Sequence, residues 1–194
     1  GDHRDLHLSI RRQRQMCIRD SLDGAYAEYV IEKDYDKGFS LADEFENIII
    51  TRTFSKSYGL AGLRIGWCYA SSKVTSILNK VKGPFNTTFI SQEIAIAALK
   101  DQDHIKRVVD TNFEVKKWFE NALKYLNIQT RPSVANFSFV ETTQDQAEKI
   151  ANHLLESGIL VRKLDSYNLP HCLRITIGTK TEMEMTINSL KKLT

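Results

Sequence analysis

Residues 47–54, NIIITRTF, limit the fold more than any other stretch of this chain. Consecutive isoleucines are stiff at χ1 and favour extended backbone. A run that is apolar at successive positions fills both faces of a strand, so it belongs inside a sheet. The run then turns polar. A lysine stands between two serines at Ser55–Lys56–Ser57, Gly59 and Gly62 break the chain, and Arg64 follows eight positions after the lysine. From that glycine turn LRIGWCYA enters a second strand.

The rest of the chain alternates strands and helices. AYAEYV is a strand end or the turn after it. Helices are predicted over 73–81 and 90–100, separated by the loop GPFNTT, in which Gly83 and Pro84 mark the break. A long helix is predicted over 102–125. Ile105, Val109, Asn112, Lys116, Phe119 and Leu123 recur there at helical spacing, and Val108 and Trp118 broaden the apolar face. NFSFVE alternates as a strand, and DQAEKIANHLLESG is a helix stopped by Gly158. ILVRKL and LRITIGT are strands joined by a loop containing Pro170. The last helix begins near Thr179, where Thr179 and Glu182 match a capping box and Met183 and Met185 follow. Strand, helix, two strands and helix predict a two-layer α/β unit.

The chain has 194 residues, 42% of them apolar, enough for one full core or two small ones. Its net charge of +3 is unevenly spread: residues 1–21 hold five arginines against three aspartates. That segment shows no sustained period. It reads either as a basic arm for nucleic acid or as sequence foreign to the fold that starts at Leu22. The remainder is nearly neutral and gives no reason to expect nucleic-acid binding. Cys17, Cys68 and Cys172 are scattered, without CxxC spacing. They argue against a disulfide framework or zinc cluster and suit a reducing cytosol. No run approaches the roughly 18 apolar residues of a membrane span. His104, His153 and His171 are isolated, so no metal site is expected.

The lysine loop points to particular chemistry. Ser55 and Lys56 are direct neighbours and point apart in extended chain, which argues against a Ser–Lys nucleophile pair. The glycines do not form the GxxxxGK[ST] pattern of a nucleotide phosphate loop. Thr53, Ser55 and Arg64 offer hydroxyls and a guanidinium suited to a phosphate, and Lys56 beside them suits a Schiff base with a carbonyl. Pyridoxal 5′-phosphate carries both groups. Upstream, DGAY supplies an acid and a phenol: Asp23 to keep the pyridine nitrogen protonated, and Tyr26 to donate to the ring oxygen.

DGAYAEYV, TRTFSKSYGLAGLRIGW and LRITIGT resemble the fold-type-I pyridoxal-phosphate-dependent aminotransferases. ANFSFV and GILVRKLDSYNLPHCLRITIGT point to the histidinol-phosphate branch. The resemblance runs through residues 22–194. It implies that Lys56 binds the cofactor covalently and shuttles a proton, and that Asp23, Tyr26, Thr53, Ser55 and Arg64 hold the cofactor. Arg174 would bind the anionic end of the substrate, with Arg162 as a second anion contact. A planar guanidinium grips a carboxylate or phosphate through two parallel bonds, which suits that role. Arg162 reads equally as a solvated strand residue, and Asn136 as a cleft residue or a turn former. Phe85 and Asn86 are further cleft candidates.

Relatives of this kind have a long region ahead of the DGAY motif that has no counterpart here, and QMCIRDSL makes a poor buried strand. The expected architecture is therefore an incomplete α/β aminotransferase. Residues 1–21 lie outside the family, 22–112 form a partial cofactor-binding domain, and 113–194 form a small C-terminal domain. The implied reaction passes an amino group between histidinol phosphate and 2-oxoglutarate in histidine biosynthesis, in a cytoplasmic homodimer whose partners are small amino donors and 2-oxo acids. The chain alone is expected to be inactive. An aromatic amino-acid aminotransferase, a decarboxylase of a phosphorylated amino acid and a non-catalytic fragment remain alternatives.

Overall fold

The computed structural model describes residues 20–193. The expectations for residues 1–19, Cys17 among them, lie outside the described residues. Contacts divide the chain into two units, residues 20–27 with 32–101, and residues 28–31 with 102–193. The boundary expected at 112/113 falls inside a continuous helix that belongs whole to the second unit.

The first unit is built from β1 (Asp20–Asp23), α1 (Phe39–Glu44), β2 (Ile48–Thr53), β3 (Gly66–Ala70), α2 (Ser72–Val81) and α3 (Phe89–Lys100). Its sheet has the order β1-β2-β3, with β1 parallel and β3 antiparallel to β2. The isoleucine run is β2, as predicted, but its burial alternates. Ile48, Ile50 and Arg52 are buried on one face, where Phe39 and Ala42 of α1 pack against the isoleucines. Ile49, Thr51 and Thr53 are only half covered on the other. β1 forms although QMCIRDSL reads as a poor buried strand. All four of its side chains are exposed, and its pairing with β2 holds it. AYAEYV resolves as a turn, with a 3-10 segment at Ala27–Tyr29. The six residues of α1 went unpredicted.

β1 and β3 end the sheet, so each has one unpaired edge among the described residues. α3 is apolar nearly all round and leaves Phe89, Ile90, Ile94, Ile96 and Leu99 exposed. Trp67 and Tyr69 of β3 are exposed as well.

The second unit holds α4 (Gln102–Tyr125), β4 (Gln129–Arg131), β5 (Phe137–Glu141), α5 (Gln144–Glu156), β6 (Arg162–Leu164), β7 (Leu169–Thr176) and α6 (Lys180–Leu190). The sheet order is β4-β5-β7-β6, antiparallel throughout. Side chains alternate along β7. Leu173 and Ile175 face a core completed by Phe119 and Leu123 of α4, Leu154 of α5 and Ile187 and Leu190 of α6. Burying each such side chain contributes about 1.5–3 kcal/mol. The predicted caps are present. Gly158 ends the α5 region at φ 76, a left-handed conformation that favours glycine. Thr179 Oγ1 accepts from the Glu182 N–H at 3.3 Å, while Glu182 accepts from the Thr179 N–H at 2.6 Å. Pro170 does not lie in a loop. It sits in the second position of β7, ahead of the ladder with β5 that starts at Cys172, where a missing N–H does little harm. The β6–β7 link is a 3-10 turn at Asp165–Tyr167, and the register shifts at Lys163/Leu164.

Candidate functional site

Asp23 and Thr51 are register partners in the parallel β1–β2 pair, so Asp23 and the lysine loop leave the sheet at the same, carboxyl, edge. Ligands of open α/β sheets sit at that edge. Asp23 Oδ1 accepts from the Ala25 N–H at 3.0 Å, and the Gly24 N–H donates to Thr51 O at 3.0 Å. These bonds shape the turn that delivers Tyr26. Lys56 Nζ lies over the Tyr26 ring, 5.5 Å from its centroid. The structure thus unites Asp23, Tyr26 and Lys56, residues 33 positions apart at the extremes.

The phosphate candidates are placed by the β2–β3 hairpin. Thr53 pairs with Gly66, and the Phe54 N–H donates to Ile65 O at 3.3 Å. The Ser55 N–H donates to Thr53 Oγ1 at 3.1 Å. Arg64 takes a left-handed backbone, φ 52, and its Nη1 donates to Ala61 O at 2.8 Å. Ser91 Oγ, in the first turn of α3, donates to Leu63 O at 3.0 Å and pins the loop just before Arg64. Thr53 ends β2, and Ser55, Lys56 and Arg64 lie in the loop, residues 54–65, that joins β2 to β3. A primary amine flanked by hydroxyls and a guanidinium, with a carboxylate and phenol in the next strand's turn, fits a cofactor carrying a phosphate and an aldehyde. Phe85 is almost wholly exposed, at φ 54.

In the second unit Arg162 and Arg174 are direct cross-strand partners on the sheet face opposite the core. Together with Lys163 and Thr176 they line a cavity of about 440 Å³ that no carboxylate enters. The Arg174 guanidinium lies over the Phe137 ring at 5.2 Å, and its Nε is buried with no hydrogen-bond partner among the described residues. Two guanidiniums side by side, with no carboxylate in the lining, suit an anion. Asn136 does not join them. It lines a separate cavity of about 360 Å³ with Tyr29, His104, Arg107 and Asn112. Its carbonyl accepts from the Ile177 N–H at 2.9 Å.

Two features escaped the sequence reading. Arg52 is buried beneath the Asp23–Tyr26 turn. The signal was a cation in the buried phase of an apolar strand. Glu141, His171 and Cys172 also gather, with ligand-type atoms all within 4.8 Å. Arg131 grips both Glu141 oxygens, and those hydrogen bonds hold the carboxyl below its ordinary range. Burial, with Glu141 beside it, pushes the Cys172 thiol up. The carboxylate of this group is already taken by a cation of the chain itself.

Residues 10–190 match the family described as aminotransferase class I and II. The chain is 45% identical over 158 residues to the histidinol-phosphate aminotransferase of Cereibacter sphaeroides, covering 81% of this chain and 43% of the relative. It is 40% identical over 172 residues to that of Maricaulis maris, covering 87% and 48%. The structure of histidinol-phosphate aminotransferase from Sinorhizobium meliloti in complex with pyridoxal-5′-phosphate superposes with a TM-score of 0.81 at 30% identity, over 90% of this chain and 49% of that one. The chain spans about half the length of the relatives it matches. Among the described residues no helix is long and apolar enough to cross a membrane. With a family match over nearly its whole length and a fold-type-I topology beneath it, this chain belongs to the class I and II aminotransferases.

Proposed function

We propose that the chain supplies the lysine loop and the substrate-anion arginines of a pyridoxal-phosphate-dependent transaminase acting on histidinol phosphate and 2-oxoglutarate in histidine biosynthesis. The observation that carries this reading is the meeting of Lys56 with Tyr26 in the turn that starts at Asp23, at the carboxyl edge of one sheet. The named relatives support the substrate.

Pyridoxal phosphate, when bound, supplies an aldehyde that takes up the amino group and a ring that spreads the electron pair released at the substrate α-carbon. The chain's residues do the rest. Lys56 Nζ would hold the cofactor through its aldehyde and, once free, would move a proton at the substrate α-carbon. The Asp23 carboxylate stabilises a proton on the pyridine nitrogen by charge pairing, and Tyr26 presents its phenol to the ring oxygen. Thr53, Ser55 and Arg64 receive the phosphate. Arg174 takes the substrate's carboxylate or phosphate, with Arg162 as the second cation. Asn136, lining the separate cavity, is left with no substrate role in this scheme. We assign the activity to a cytoplasmic homodimer of a polypeptide with the length of the relatives. This chain alone is expected to hold the cofactor weakly and to be inactive.

The test is borohydride trapping after incubation with pyridoxal phosphate, on this chain and on a polypeptide of the relatives' full length, followed by peptide mapping. The label is expected on Lys56 in the longer polypeptide and absent from Lys56→Ala. A label that stays elsewhere after that substitution refutes the assignment.

A further inference from the structure

Arg52 occupies a position where the strand calls for an apolar residue. Ile48, Ile50 and Arg52 share the buried face of β2, and Arg52 is only 7% exposed. No carboxylate among the described residues pairs with it. Its partners are backbone and ring: Nη1 donates to Thr51 O at 3.1 Å, Nη2 donates to Lys37 O at 3.0 Å, and the guanidinium lies over Phe39 at 5.4 Å. Thr51 O is also the acceptor for the Gly24 N–H, so one carbonyl joins the turn after β1 to the Arg52 head. A Cβ on Gly24 would lie 1.5 Å from Nη1 and 2.4 Å from Cζ. The guanidinium fills the space of a side chain at position 24. A glycine between Asp23 and Ala25 is what lets it do so.

We propose that Arg52 is a positioning residue for the candidate cofactor site: its guanidinium, seated against Gly24, holds the turn carrying Asp23 and Tyr26 in line with the strand that delivers Lys56. The proposal deepens the cofactor reading above and rests on it for its functional meaning. Asp23 and Tyr26 come from an edge strand of four residues whose side chains are all exposed. The side chains of β1 therefore do little to fix the turn, which is buried only at Gly24, against Arg52, and at Ala27. The clamp from below couples it to β2 through Thr51 and to the segment before α1 through Lys37. A merely structural Arg52 would add stability without setting where Tyr26 stands relative to Lys56.

The Lys56–Tyr26 contact gives a readout that needs no cofactor. In the full chain, lysines are reductively methylated with ¹³C and the Lys56 methyl signal is assigned by its loss in Lys56→Arg. The Tyr26 ring current displaces that signal upfield, and Tyr26→Leu gives the undisplaced position. In Arg52→Met the signal is expected to move to the Tyr26→Leu position while circular dichroism shows the fold retained. Arg52→Lys reaches one carbonyl instead of two, so a partial move is expected; it carries the test if the methionine variant does not fold. Gly24→Ala displaces the guanidinium and is expected to move the signal as Arg52→Met does, with no further move in the double variant. An unmoved signal in folded Arg52→Met or Arg52→Lys, or independent additive moves for Gly24 and Arg52, overturns the proposal. Because the readout contains no pyridoxal phosphate, failure of Lys56 to take up cofactor in the full-length polypeptide would sink the functional reading and leave this geometric result standing.

Discussion

Arg174 lets the proposed anion site be tested without any catalytic assay, because its charge faces that of Arg162. Arg174 and Arg162 are direct cross-strand partners. Partners of that kind have Cβ atoms about 5 Å apart, so the charges sit on the order of 7 Å apart. Their repulsion is about 0.6 kcal/mol in water and about 2.4 kcal/mol at an effective dielectric of about 20. Exposure of Arg162 pulls the value towards the lower end. The unpartnered Nε of Arg174 adds a desolvation cost of about 1–3 kcal/mol. Stacking over Phe137 returns about 0.5–2 kcal/mol. Arg174→Met keeps the apolar stem and removes the charge, so in chloride it should raise stability by about 1 kcal/mol. For a unit of this size that is a rise in Tm of about 4–8 °C. Phosphate or 2-oxoglutarate at about ten times its Kd should stabilise the unsubstituted chain by about 1.4 kcal/mol and leave the variant unmoved. The assay is thermal and urea unfolding of both chains in matched ionic strength. A variant less stable than the parent in chloride, or one that responds equally to phosphate, would refute the account.

Three further outcomes follow from local structure. Leu154 is fully buried in the core of the second unit, so Leu154→Ala should cost about 2–5 kcal/mol in urea unfolding, enough to unfold that unit if its stability is at the low end. Removing the cap with Thr179→Ala should cost about 1 kcal/mol by the same measurement. Glu182 is held below its ordinary carboxylate value by hydrogen bonds from the Thr179 backbone and hydroxyl, with burial opposing. A depressed carboxylate contributes stability that is present above its unfolded value and lost as pH falls through its folded value. The stability gap to Glu182→Gln should therefore be full near neutrality and close as acid protonates the folded carboxyl.

What the sequence reveals here divides by the range of the interaction that decides it. The cap at Thr179 and Glu182 and the stop at Gly158 are decided within a few residues, and both are legible. So is the isoleucine strand. β4 is not, because three polar residues become a strand only when Arg131 pairs across to the β5 ladder and grips Glu141. β1 escapes for a related reason: its partner lies 28 positions away and supplies what its own side chains do not. The candidate site shows the same division. Lys56, Ser55 and Arg64 sit in one hairpin whose turn is written in its glycines. Arg162 and Arg174, twelve positions apart, are brought side by side only by the β6–β7 register. Asn136, expected in the same cleft, faces another cavity, because the β5–β7 register sets it opposite Ile177, on the other side of the sheet from Arg174.

Three arginines of one chain then do different things, and their partners tell them apart. Arg52 is buried and answered by two carbonyls and a ring, so its charge is spent inside the fold, and removing it should loosen the turn it supports. Arg131 is answered by a carboxylate in full view of solvent, where such pairs contribute little to stability. Arg174 is answered only by a ring face and confronts another cation. An apolar residue at this position would remove the repulsion. An anion bound there, as proposed, would repay the repulsion, a planar carboxylate or phosphate through two parallel bonds. The direction of the stability change on substitution therefore separates the roles: loss at Arg52, little at Arg131, and gain at Arg174.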